Sequence, residues 1–226
     1  MLYDFLPGHN FGLAIIILTV LIRFLLYPSF LQSIRSQKAM NDIQPKIQEI
    51  QREYKNDQAK QAQLTMELYK KEKVSPFSGC LPLLLQLPIL IALYQVFWQG
   101  FQPEKLSLLY GFVPHPGQIN PLFFSINLSQ SNLIFAILAG VLQFFQTKMI
   151  NPGQKSYSAG SKDGQKNQFS EILQKEMLYI FPIFTVFILL KLPSAIGLYW
   201  IVNTLFAIIQ QYFTFKPGAT KPAVNT

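Results

Sequence analysis

Apolar residues along the 226-residue chain gather into long runs at 11–31, 81–101, 133–150 and 195–215. A bilayer core of about 30 Å takes roughly 20 apolar residues of helix, so each run meets or approaches the length of a span. A fifth run, 177–190, has only 14 residues. Lys191-Leu192-Pro193-Ser194 is all that separates it from the next run, so the two read as a tight helical hairpin. Local thinning of the bilayer would accommodate its short member. The pattern predicts five transmembrane helices.

The polar stretch at 33–75 has a different rhythm. Ile43, Ile47, Ile50 and Tyr54 are spaced four, three and four apart, one apolar stripe on a helix, and Leu64 with Leu68 continues a second stripe. Pro45 falls in a first helical turn if Asp42 is the cap, the place where proline costs least. Asn56-Asp57 reads as a turn and the next cap. Two short amphipathic helices packed antiparallel are expected, either as a plain connection or as a docking arm for a partner or anionic headgroups. The segment 102–132 is rich in Pro, Gly and aromatics and is expected as an external, partly interfacial loop. Residues 151–168 read as a flexible loop, and the last ten as a polar tail.

Composition supports the membrane reading. Hydrophobic residues make up 50% of the chain and charged residues 13%, with a mean hydropathy of +0.24. A soluble domain carries about a quarter charged residues. One cysteine, Cys80, excludes a disulfide scaffold. The net charge of +8 matters through its placement. Sixteen Lys and Arg lie in the segments after the first and third spans and in the tail, against Lys105 and Lys191 on the other side. Positive residues stay inside, so the N-terminus is expected outside and the C-terminus in the cytoplasm, as five spans also require. The first ten residues hold no Lys or Arg, Asp4 is among them, and no small-residue cleavage site follows. The first span is therefore expected to be retained rather than removed as a signal peptide.

Arg23 is the remaining cation, and it stands inside the first run. At 1.5 Å per residue its Cα lies roughly 13 Å from the cytoplasmic end, further than an arginine snorkels with ease. Leaving the charge in hydrocarbon costs at least about 2.5–3.5 kcal/mol. No Asp or Glu occurs in any run to pair with it. A water-containing recess between helices, suited to an anionic visitor, is the expected solution. Thr19 is one turn earlier on the same face. Gln143, Gln146 and Thr147 fall in the third run, and Tyr199, Trp200, Asn203 and Gln210 in the fifth. Gln86 and Gln95 are in the second, where interhelical hydrogen bonding is the plainer role.

Covalent chemistry finds no foothold. His9 and His115 fall in external segments, and no metal-ligand cluster, phosphate loop or intramembrane acid pair is present in the sequence. Cys80 reads as a packing residue. No enzyme activity, cofactor or metal is expected.

Three strings carry a resemblance. Ser78-Gly79-Cys80-Leu81-Pro82-Leu83-Leu84-Leu85-Gln86-Leu87-Pro88-Ile89 opens the second run. Leu192-Pro193-Ser194-Ala195-Ile196-Gly197-Leu198-Tyr199-Trp200-Ile201-Val202-Asn203 opens the fifth. Ile137-Leu138-Ala139-Gly140 and Gln146-Thr147-Lys148-Met149 lie in the third. With Arg23 and Gln44-Pro45-Lys46, they resemble the YidC membrane-protein insertases, related to the organellar Oxa and Alb proteins, in their short form. The short form goes without the extra N-terminal span and large external domain of longer members.

The resemblance implies a hydrophilic groove, open to cytoplasm and lipid and closed to the outside, with Arg23, Thr19, Gln146 and Trp200 lining it and Gln143 beside them. Tyr199 and Asn203 complete the candidate substrate groove. The implied function is insertion and chaperoning of nascent membrane proteins without nucleotide hydrolysis. A lysine at position 23 is expected to serve nearly as well as arginine. Partners are nascent membrane proteins and the phospholipid bilayer, with the ribosome and Sec translocon as further candidates and no specific nucleic acid. The rival classes are a small-solute transporter or channel and a purely structural assembly factor.

The expected fold is an all-α integral membrane protein of the bacterial cell (inner) membrane: five transmembrane helices with a cytoplasmic antiparallel helical hairpin between the first two. Its parts are 1–32 (external N-terminus and first helix), 33–75 (hairpin), 76–101 (second helix) and 102–132 (external loop). Then follow 133–150 (third helix), 151–176 (cytoplasmic loop), 177–215 (fourth and fifth helices) and 216–226 (tail).

Overall fold

The computed structural model describes residues 10–75, 81–100, 119–150 and 167–215. His9, Cys80, His115, the tail from 216 and nearly all of the expected flexible loop lie outside the described residues. In chain order the elements are α1 (Phe11–Leu25), α2 (Tyr27–Glu53), α3 (Gln58–Lys71), α4 (Leu81–Gly100), β1 (Leu122–Phe123), β2 (Ile126–Asn127), α5 (Leu133–Ile150), α6 (Asn167–Leu189) and α7 (Ser194–Phe215).

The expectation of five spans is corrected. Among the described residues, α5 and α7 are long and apolar enough to cross a membrane, and α1 with α2 makes a third only if the bent pair counts as one. The apolar parts of α4 and α6, Leu84–Phe97 and Leu178–Leu189, are shorter. For α1 the reason is local. The 15 residues of α1 reach only about 22 Å before the chain turns by 69°. That break falls at Leu26, and Pro28 stands in the first turn of α2, where it has no N–H with which to continue the hydrogen-bond ladder of α1.

The unit expected at 33–75 is corrected too. It is not a self-contained hairpin of two short helices, because no helix starts at Asp42. A single helix, α2, runs 27 residues from the bend and passes straight through Pro45. Its first turns bury Phe30, Ser33, Ile34 and Gln37, at i, i+3, i+4 and i+7, against the helices beneath. Further on, Ile43 and Ile47 are buried. The shorter α3 starts at Asp57, whose Oδ1 accepts from the Lys60 amide at 3.0 Å, and buries no residue. It lies back along the far end of α2, where Lys46 Nζ meets Glu72 Oε1 at 2.5 Å and Gln61 Nε2 donates to the Gln51 carbonyl at 3.1 Å.

The loop expected across 102–132 holds an antiparallel pair of strands, β1 and β2, with Leu122 opposite Asn127 and Phe123 opposite Ile126. Phe123 lies so close to Gly12 of α1 that a Cβ there would sit 2.1 Å from its ring. Glycine is what permits this approach.

The core is organised around α7, which packs on α1, α4 and α5. On α5 the buried set is Ala136, Ala139, Gly140 and Gln143, a stripe of small residues ending in an amide. Small residues let membrane helices approach closely. At Gly140 a Cβ would come within 2.4 Å of Val186 Cγ2 and 3.2 Å of the Pro182 carbonyl, so α6 depends on that glycine for its seat. Large apolar side chains such as Leu25, Ile134 and Ile183 point outward. In a membrane protein that is the lipid-facing surface.

Candidate functional site

Tyr199, Trp200 and Asn203 fall within little more than one turn of α7, and each reaches a different helix. Gln86 Nε2 of α4 donates to the Tyr199 hydroxyl at 2.8 Å. Trp200 Nε1 donates to Gln143 Oε1 of α5 at 2.9 Å. Asn203 receives Arg23 of α1 twice: Nε donates to its Oδ1 at 2.7 Å and Nη2 to its backbone carbonyl at 2.9 Å. One turn of α7 thus clasps three helices through polar groups.

Arg23 is 5% exposed. Its charge is met by neutral groups rather than by a carboxylate. Besides the two oxygens of Asn203, the Phe30 ring lies 4.1 Å from the guanidinium carbon, and the Phe206 ring 5.9 Å. An aromatic face attracts a cation through its quadrupole. The 69° bend makes this cradle: Arg23 is three residues before Leu26, and Phe30 comes four residues after it, folded over the guanidinium by α2. Only two of the five guanidinium donors are engaged by Asn203.

The remaining candidates are placed as follows. Thr19 is buried, and its hydroxyl donates to the Ile15 carbonyl of its own helix at 2.6 Å. Gln146 is half-buried on α5, one turn beyond Gln143, and Thr147 donates to the Gln143 carbonyl at 2.9 Å. The structure brings Arg23 to Asn203, and Gln143 to Trp200; Thr19 and Gln146 join neither pair by a hydrogen bond described here.

Beneath this clasp the interior is short of partners. Four buried amide atoms have none among the described residues: Gln37 Oε1 on α2, Gln143 Nε2 on α5, and Gln210 Oε1 and Gln211 Oε1 on α7. Weak contacts surround them. Gln37 Nε2 is 3.5 Å from Ser33 Oγ, and Gln210 Nε2 is 3.5 Å from the Tyr27 carbonyl. α2 closes over this region, with Asn41 Nδ2 donating to the Ile150 carbonyl at the end of α5.

Residues 1–221 match the protein family described as 60Kd inner membrane protein. A membrane protein insertase YidC of Fusobacterium nucleatum is 37% identical over 210 residues, which is 93% of this chain and 88% of that protein. The chain belongs to the YidC membrane-protein insertase family. A YidC insertase of Oceanobacillus iheyensis is 34% identical over 95% of this chain and 78% of its own length. One from Geobacter metallireducens is 32% identical, and there the chain spans only 35% of the relative. As a YidC-family member the protein is a multi-pass protein of the bacterial inner membrane.

Sequence reasoning missed Phe30 and Phe206 as partners of Arg23, and Gln37 and Gln211 as buried polar groups. A signal existed for one of them: Phe206 is three residues from Asn203, on the same helical face. Phe30 left none, because it reaches Arg23 only through the bend at Leu26. Gln37 and Gln211 carried none: Gln37 falls beyond the first apolar run, in a polar stretch, and Gln211 close to the end of α7, where glutamines are ordinarily solvated.

Proposed function

We propose that this chain is a membrane protein insertase and chaperone whose polar interior, between α1, α2, α5 and α7, receives the hydrophilic part of a client. The observation that carries this reading is the set of four buried amide atoms that have no partner among the described residues, together with a buried guanidinium with donors to spare. Each unsatisfied amide costs about 1–3 kcal/mol, which a client's polar backbone or accompanying water would recover. A client's carboxylate would take the guanidinium in a charge-assisted, two-point bond in place of Phe30 and Asn203. Thr19, Gln143, Gln146, Tyr199, Trp200 and Asn203 would line the path.

Work is supplied by the client. Its apolar segment leaves sideways into lipid, and burial at roughly 25 cal/mol per Å² drives the polar part across without nucleotide. The distribution of basic residues supports a cytoplasmic C-terminus. There residues 35–73 would offer nine Lys and Arg to the ribosome or the Sec translocon. The opposite end argues against a solute pore. The amides of Ser194 and Ala195 donate to the carbonyls of Gln130 and Leu128, and Leu128 is 0% exposed.

The test is reconstitution of the chain alone in liposomes with a client bearing an acidic translocated tail and no nucleotide. Insertion is expected, with Arg23→Ala lowering it about tenfold, the equivalent of one lost charge-assisted bond. Arg23→Lys, near-equivalent on the sequence alone, is now expected in between, because an ammonium cannot hold the two-point geometry at Asn203. Folded chain that inserts nothing, or that passes a small solute instead, would overturn the reading.

A further inference from the structure

Phe124 occupies a backbone conformation that suits glycine. It is the first residue of the two-residue turn between β1 and β2, with φ at +53°, and its side chain is 88% exposed. A bulky residue at positive φ is an outlier, and here no packing against the protein core compensates for it. Its one described ring contact is edge-on with Phe123, at 4.8 Å between centroids. Leu122, two residues before, is 51% exposed.

The stand beneath this ring is firm. Phe123 is wedged against Gly12 of α1, Leu128 is fully buried, and Leu128, Gln130 and Asn127 give their carbonyls to the first residues of α7. The turn therefore cannot fold Phe124 away without loosening the start of α7.

We infer that the β1–β2 turn is a bilayer anchor, with Phe124 and Leu122 inserted into the lipid interface at the end of the molecule where α1, α5 and α7 begin. Position argues for lipid as the occupant. The spanning helix α5 begins at Leu133, nine residues on, so the turn stands at the level where hydrocarbon ends. Leu133, Ile134 and Ile137, in the first turns of α5, are exposed apolar residues as well. Residues 119–132 contain no Asp, Glu, Lys or Arg, so a charged protein partner has nothing there to recognise. Aromatic rings are the side chains that settle at this depth. The anchor would fix the height of α1, and so of Arg23, relative to the bilayer. It is independent of which face is cytoplasmic and of what the interior receives.

The test uses the full chain with Cys80→Ser, carrying a nitroxide at Phe124→Cys and, separately, at Gln130→Cys, reconstituted alone in phosphatidylcholine–phosphatidylglycerol vesicles. Gln130 is exposed and polar, and serves as the aqueous reference. Position 124 is expected to collide with oxygen more and with a water-soluble nickel chelate about tenfold less than position 130, the partition a half-immersed phenyl ring gives. Because a label replaces the ring, Phe124→Trp supplies a second reading. Its added emission should be quenched more by lipids brominated near the headgroup than near the chain ends. Equal nickel access at 124 and 130 overturns the inference. So does protection at 124 that appears only when a protein client or translocon is added, which would make the turn a protein-docking site.

Discussion

The two ends of α7 are built on opposite principles. At its start, backbone meets backbone: Ser194 and Ala195 donate to carbonyls of the segment after β2, Leu128 fills the space completely, and Ser194 Oγ donates to Asn127. From Tyr199 to Gln211 every polar contact to another helix involves a side chain, and several stop half-made. A close-packed apolar plug resists rearrangement, because nothing is gained by opening it. A buried polar network with spare donors and acceptors has much to gain from a visitor. The contrast places rigidity at one end of the helix and readiness at the other.

Breaking the rigid end should have the largest effect. Leu128→Ala removes a fully buried side chain and is expected to cost about 2–5 kcal/mol. That would appear as a marked fall in the thermal unfolding midpoint in detergent, with insertion falling only as folded protein is lost. If stability holds, the plug is not the rigid element and the comparison fails.

The polar end should respond in the other sense. Gln143→Leu relieves an unsatisfied Nε2, worth about 1–3 kcal/mol, and deprives Trp200 Nε1 of its acceptor, worth about 0.5–1.5 kcal/mol. Stability should stay level or rise by about 1 kcal/mol, while client insertion in liposomes drops severalfold. Unchanged insertion with raised stability would mean that this amide is only a packing defect.

The smallest effect belongs to the arm. The hydrogen bond from Lys46, with its charge, holds the Glu72 carboxyl below the usual carboxylate range. A depressed folded value means that the pair contributes above the ordinary carboxylate pKa and is lost as pH falls through the folded one. The pair is exposed, so the contribution is slight. A side-chain NMR titration should put the Glu72 midpoint under 4.5, and Lys46→Gln should bring it back up. An ordinary midpoint in the native chain would mean that α3 does not rest on α2 in solution.

What could be read in the sequence follows the reach of each interaction. Residues 133–150 form one helix because nothing polar interrupts them until Gln143, and the start is marked; Asn132 Oδ1 accepts from the Phe135 amide. Residues 11–31 misled because unbroken apolarity outweighed Tyr27-Pro28, the dipeptide at which the chain turns. Pro45 misled in reverse. It resembles a first-turn proline, yet burial of Ile43 and Ile47 on either side keeps α2 continuous through it. Leu122 to Asn127 show neither strict alternation nor a glycine at the turn, so β1 and β2 left no trace in the pattern. At the candidate site, Arg23, Gln143, Trp200 and Asn203 were visible as polar residues in apolar runs. Which of them touch was not, because that is set by how α1, α5 and α7 dock.

The bend at Leu26 has a mechanical consequence. Taken as a stiff rod, α2 is roughly 40 Å long, whereas Phe30 is only about 6 Å from the pivot. Swinging the distant tip by some 7 Å therefore shifts the ring over Arg23 by about 1 Å, a crank that trades distance for force. A load pulling on α3 would be felt at the guanidinium as a short, strong stroke.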